Sequence, residues 1–440
     1  MNDTLKEAIL AAVESRTDWT VGLLQDMLRV PSVNPWFEDD DSRYGEAAYQ
    51  QWLAGVLTGL GANEVDLWEP VANQLAHLSD GPGYYEGRDF TGRPNLVAHF
   101  PGLDPTGQTV MVQGHADVVA VGVDWTADPF GGDLIDGRIY GRGAVDMKGG
   151  VASALGAIAA LRDAGVPLKE DLLVASVADE EAGGMGTLAL VDRGYVAPGG
   201  AIVPEATSMN IAPLCRGILW GRVTLYGRAG HIELKQAHWK DGGAVDAIDY
   251  GRRLLNAIQD LNRSWAADPA KNHPLIPIPC QVNVAQIDGG EYPTTFAPTC
   301  TLTFDAQYLP HEKDDHALGS RVKAELEEFF AGFAGDDEWV RAHPPLVEWL
   351  IDADCGETPV EAPVVTALVR ASREVGLPAT LEGLMAHADM GLMIDAGTPT
   401  VDFGPGSMAL AHQPDENLKV EDLMTAAKVM ALAIAELCGA

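Results

Sequence analysis

The chain is short of basic charge, cysteine pairs and long apolar runs, and each shortage removes a class of function. Against 64 acidic residues stand 29 basic ones, a formal net charge of −35. Such a surface repels nucleic acid and anionic lipid, so neither is expected as a partner. It keeps a protein soluble and says nothing about the charge inside a pocket. The five cysteines (Cys215, Cys280, Cys300, Cys355, Cys438) are scattered, odd in number and form no C-x-x-C pair. That argues against a disulfide framework and against a thiolate zinc site. No stretch reaches the length of a membrane span. The first residues, MNDTLKEAILAAVESRTDW, read as an amphipathic helix. A signal peptide needs a basic start and an unbroken apolar run, so a cytoplasmic protein is expected. No nucleophile-elbow motif of a serine hydrolase accompanies the strands described next.

What is present is ample material for a core. Hydrophobic residues make up 47% of the chain and charged residues 21%, which excludes a disordered chain. A length of 440 residues predicts more than one domain. From about Val97 to Glu205 short apolar runs alternate with helical segments, the pattern of strand–helix–strand units. Thr109–Val112 and Leu172–Ala178 read as buried strands, Ile202–Pro204 as the end of a third, and Thr398–Phe403 as a late one. A helix rich in small residues is expected over roughly Met147–Asp163, stopped by Gly165 and Pro167. Another is expected over Leu418–Leu437. Between these regions Gly221–Tyr226, Gln281–Val284 and Cys300–Phe304 alternate like half-exposed antiparallel strands, with helices near Ala244–Asn262 and His316–Phe333. The fold class is therefore α/β, a mixed-sheet domain with an inserted α+β domain. The expected division is 1–215 and 354–440 for the first and 216–353 for the insert.

In open α/β sheets ligands bind beyond the carboxyl ends of the strands. His115, Asp117, Glu180, Glu181 and Glu205 all follow predicted strands. Asp146 precedes a helix, and His412 lies in a loop after a late strand. Each has an ordinary explanation alone. Glu180-Glu181 could open a solvated helix capped by Asp179, and His412 could be a surface histidine. Together, two imidazoles and several carboxylates without a thiol suit zinc, cobalt or manganese rather than calcium.

Gly114-His115-Ala116-Asp117-Val118-Val119, Gly141 to Gly150 (GRGAVDMKGG), Asp179-Glu180-Glu181 and Pro204-Glu205-Ala206-Thr207 occur in this order. With Arg29 to Val33, Gly227-Arg228-Ala229-Gly230-His231, Phe403 to Gly406 and Ala411-His412, they resemble the motifs of the acetylornithine deacetylase, succinyl-diaminopimelate desuccinylase, aminoacylase and carboxypeptidase G family. The resemblance covers nearly the whole chain. It implies a zinc-exopeptidase fold whose insert is a lid and dimerisation domain. It also implies hydrolysis of an amide bond in a small N-acyl amino acid or a dipeptide, by a homodimer.

The resemblance further implies a ligand set for two divalent metal ions. Asp146 would bridge both, His115 and Glu205 would complete one site, and Glu181 and His412 the other. Asp117 would hydrogen-bond the second ring nitrogen of His115, and the Asp146–Met147 peptide would be cis. Glu180 would act as general base. His231 would reach the partner's active site and stabilise the oxyanion there.

The motifs depart from relatives in the pocket. Ile232-Glu233-Leu234-Lys235 stand where small residues are common, Thr294 and Thr295 near an expected asparagine, and Gln307 where an arginine is common. Arg216, Arg228, Lys235, Lys240, His238 and His387 are further candidates for substrate contacts, and Asp389 for orienting the site. A rival from another class is a scaffold protein on the same fold, against which stands the presence of every expected site residue.

Overall fold

The computed structural model describes residues 1–440, in two compact units. One comprises Met1–Cys215, Gly356–Leu384 and Ala388–Ala440; the other comprises Arg216–Cys355 and Met385–His387. No helix is long and apolar enough to cross a membrane.

The first unit is built on a six-stranded mixed sheet, in the order Glu64–Trp68, Asn95–Phe100, Leu172–Val177, Val110–His115, Gly200–Val203 and Thr400–Asp402. The last four strands are mutually parallel. Their central members (VMVQGH, LLVASV, GAIV) are buried throughout. Burial on both faces is why they read as unbroken apolar runs. The first two strands join antiparallel and alternate too weakly to stand out in the sequence.

The helix Lys148–Asp163 lies against the helices Val420–Leu437, Thr17–Leu28 and Asp3–Ser15. All but its last two residues are buried, and its alanines and glycines permit close approach on every side. Gly165 ends it with φ +63, a left-handed residue that costs glycine little. Two expectations need correction. The N-terminal helix is two helices that meet at Arg16. The closing helix starts at Val420, because Asn417–Lys419 pairs as a strand with Arg138–Tyr140.

The second unit carries a four-stranded antiparallel sheet, ordered Leu346–Ala353, Gly217–Tyr226, Thr299–Tyr308 and Val282–Gly289. Burial alternates strictly along Gly217–Tyr226, the signature of one covered face. The helix Ala247–Ala267 packs on this sheet, and Phe330 of the helix Ser320–Gly332 lies 5.1 Å from the Phe304 ring. Leu346–Ala353 was not anticipated: its register shifts between Trp349 and Ile351, and such a bulge spoils the period-two pattern. Met385–His387, expected with the C-terminal part of the first domain, belongs to the second unit. Ala386 O accepts from Arg216 N at 3.2 Å, and His387 Nδ1 lies 2.8 Å from Asp354 O.

Candidate metal centre

Three adjacent parallel strands of the first unit deliver side chains to one edge. His115 ends Val110–His115, Glu180 and Glu181 follow Leu172–Val177, and Glu205 follows Gly200–Val203. Asp146 comes from the turn before Lys148–Asp163, where its peptide to Met147 is cis. His412 comes from the loop after Thr400–Asp402, in a left-handed conformation with φ +59.

These groups meet around Asp146. His115 Nε2 lies 3.2 Å from Asp146 Oδ1 and 3.5 Å from Glu205 Oε1. His412 Nε2 lies 3.4 Å from Asp146 Oδ2 and 3.2 Å from Glu181 Oε2. Each imidazole thus faces a different oxygen of one carboxylate. Glu180 Oε2 stands 3.8 Å from His115 Nε2.

The turn that carries the two glutamates is not a helix start. Asp179 has φ +70, and the next helix begins only at Met185. Glu180 is buried instead of solvated. The turn is held from behind: Asp117 accepts from the backbone N–H groups of Glu180 and Glu181, both at 3.3 Å, and from Asn34 Nδ2 at 2.8 Å. Asp179 Oδ1 in turn accepts from Arg93 Nη1 at 3.0 Å.

This corrects the role expected of the Asp117 carboxylate. His115 Nδ1 donates to the main-chain oxygen of Asp117 at 2.8 Å, while Asp117 Oδ1 is 3.8 Å away. The carbonyl fixes the ring tautomer and leaves Nε2 facing the site. The side chain is occupied in shaping the Glu180–Glu181 turn. Asn34 and Arg93 were missed in the sequence; Asn34 directly follows the Arg29–Val33 motif, the one local signal available.

The electrostatics follow from crowding carboxylates out of water. Burial and the nearby Asp389, Glu205 and Glu181 hold Glu180 well above the usual glutamate range. Burial and Asp146 push Glu181 up to about 7. Burial opposes ionisation of Asp146, yet the two histidines hold it below the carboxylate range. Burial likewise opposes charge on His412, but Glu181 and Asp146 push it up to about 11. The cluster draws in positive charge.

Divalent cations fit this donor set. His115, Asp146 and Glu181 each offer a ligand atom within 4.8 Å of the others, and Glu181 Oε1 is buried without a hydrogen-bond partner. Oxygen and imidazole donors without thiolate suit zinc and its neighbours.

Of the other expected residues, Asp389 lies beside Glu180, a ligand atom of each within 4.8 Å of the other. Asp389 accepts from Thr187 Oγ1 at 2.5 Å and Gln113 Nε2 at 3.2 Å. His231 belongs to the second unit, where it is exposed and its Nδ1 accepts from Glu233 N at 3.3 Å. Lys240 pairs with Glu338 at 2.6 Å, and Arg228 donates to Trp239 O at 2.6 Å. Arg216 is buried with Nε and Nη2 unpartnered.

Peptidase family M20/M25/M40 matches residues 111–436. The chain belongs to this family. It is a metal-dependent hydrolase of amide bonds, as the motifs imply. An N-formyl-4-amino-5-aminomethyl-2-methylpyrimidine deformylase of Halalkalibacterium halodurans is 29% identical over 98% of this chain and 97% of its own. An acetylornithine deacetylase of Myxococcus xanthus is 30% identical over 78% of this chain and 84% of its own. In fold, the chain is similar to a dipeptidase of Saccharomyces cerevisiae, with a TM-score of 0.74, 15% identity and full coverage of both chains.

Proposed function

We propose that this hydrolase removes a short acyl group from the amine of a small molecule, such as an N-acyl amino acid, with Glu180 as general base. The observation that carries the reading is Asp146, whose two oxygens each face one histidine, 3.2 Å from His115 and 3.4 Å from His412. His115, Glu205 and Asp146 would hold one divalent cation, and Glu181, His412 and the same Asp146 a second, with zinc the metal the donors favour.

Such cations supply Lewis-acid polarisation of the amide carbonyl and a more acidic water. Glu180 has the proton affinity for the remaining work, raised by burial and by its acidic neighbours. It takes one proton from the attacking water, whose oxygen bonds to the carbonyl carbon. As the C–N bond breaks, Glu180 passes that proton to the departing nitrogen. The water's second proton passes from the new carboxyl group to the freed amine, so the products are a carboxylate and an ammonium. The second unit serves as a lid and dimerisation domain, and His231 stabilises the oxyanion in the partner's site. The protein works as a cytoplasmic homodimer.

The deformylase and deacetylase relatives favour small acyl groups over peptides. Zinc-loaded protein should be offered N-formyl, N-acetyl and N-succinyl amines beside dipeptides. The reading expects the highest kcat/KM among the acylated amines. Faster turnover of dipeptides would replace it with a dipeptidase, and binding of two metals with no turnover at all would favour a scaffold.

A further inference from the structure

A buried ion pair stands behind the centre without offering a donor to it. Glu416 shares the His412 loop and is fully buried. Its Oε1 accepts from the backbone N–H of Val145 at 2.8 Å and of Asp146 at 3.1 Å. Its Oε2 accepts from Arg142 Nη1 at 2.6 Å. Arg142 is also buried, and it donates onward to Ala120 O at 3.2 Å and Val121 O at 3.1 Å. Glu416 O accepts from Gly141 N at 2.9 Å. One residue therefore ties the backbone of Asp146 to the loop of His412 and, through Arg142, to the segment after His115.

We propose that Glu416 is a positioning residue for the metal centre. Its Oε1, by holding the Val145 and Asp146 amides, directs the Asp146 carboxylate so that one oxygen faces each histidine. The Asp146 N–H has Glu416 as its acceptor, so this grip fixes the backbone from which the side chain reaches the two histidines. The inference rests on the reading that Asp146 is shared by two metals. The competing account is that Glu416 only neutralises a buried arginine.

Zinc affinity, measured on folded protein by competition with a chromophoric chelator, separates the two. Glu416→Leu with Arg142→Met removes both members of the ion pair and releases both amides. It should weaken both zinc equivalents by about ten- to hundredfold, the usual effect of losing an outer partner of a ligand. Glu416→Gln with Arg142→Met removes the same charges but keeps an acceptor oxygen, and should bind zinc nearly as the unsubstituted protein does. Glu416→Asp keeps both charges and withdraws the carboxylate by one methylene, so it should show an intermediate loss even if the Leu–Met pair does not fold. Unchanged affinity in Glu416→Asp and in the Leu–Met pair overturns the proposal. So does equal weakening of the Gln–Met and Leu–Met pairs, which would assign the effect to charge. If Asp146→Ala itself still takes up two equivalents, the shared-ligand reading fails instead.

Discussion

Gly150, in the first turn of Lys148–Asp163, should be among the least replaceable residues of the chain. A Cβ added there would lie 1.7 Å from Pro204 O, 2.8 Å from Pro204 C and 2.9 Å from Pro204 Cβ. The nearest obstacle is backbone, so no rotamer change relieves it. An ordinary contact needs at least 3.4 Å, so the helix start and the Pro204 segment must part by roughly 1.7 Å. Overpacking of this kind costs about 1–3 kcal/mol, and this case belongs at the upper end or beyond. The displaced segments carry Asp146 on one side and Glu205 on the other. Metal–ligand distances tolerate only about 0.2 Å, so zinc binding should fall with stability. Urea unfolding in chelator and a competitive zinc titration measure the two effects separately. Gly55→Ala is the control: it lies within the helix Glu46–Gly59 with nothing within 4 Å of an added Cβ. It should gain about 0.5–1 kcal/mol. A Gly150→Ala protein with the original urea midpoint and zinc affinity would refute the packing argument.

Glu180→Gln should lower kcat by about 10²–10⁴ while zinc content, measured by elemental analysis, stays at two equivalents; a kcat near that of the original enzyme would assign the base elsewhere. Mixing inactive Glu180→Gln and His231→Ala dimers should restore activity through heterodimers if His231 serves the partner's site, and should restore none if each chain is self-sufficient. All five cysteines are buried and none forms a disulfide, and burial pushes Cys280 and Cys438 up to about 12. A raised thiol pKa means the protonated form persists at pH 8, so alkylation should be negligible in the folded protein and should follow the unfolded fraction in urea.

Much of the centre was readable because parallel strands buried on both faces announce themselves, and their carboxyl ends are where ligands gather. His115, Glu180, Glu181 and Glu205 each follow such a run. The central strands are therefore plain, while the antiparallel edge Glu64–Trp68 and the bulged Leu346–Ala353 are not. The supporting polar contacts were illegible for a different reason. Arg93 meets Asp179, Asn34 meets Asp117, and Glu416 meets Val145 and Asp146 across long separations in the chain, so no local spacing marks them. The Glu180–Glu181 turn misleads a local reading, since an Asp followed by two glutamates is equally a capped helix. Only the left-handed Asp179 and the burial of Glu180 distinguish the two. The Asp117 carboxylate was placed on the wrong partner because its own carbonyl, invisible to a motif, already occupies the histidine.

The central claim is that one carboxylate serves two metals, and zinc stoichiometry of Asp146→Ala tests it most directly. The unsubstituted protein should bind two equivalents, lose amide hydrolysis in chelator and regain it on adding zinc. Asp146→Ala should lose both equivalents together, because each histidine faces one oxygen of the missing side chain. One equivalent retained at the original affinity, or hydrolysis undiminished in chelator, would contradict the account.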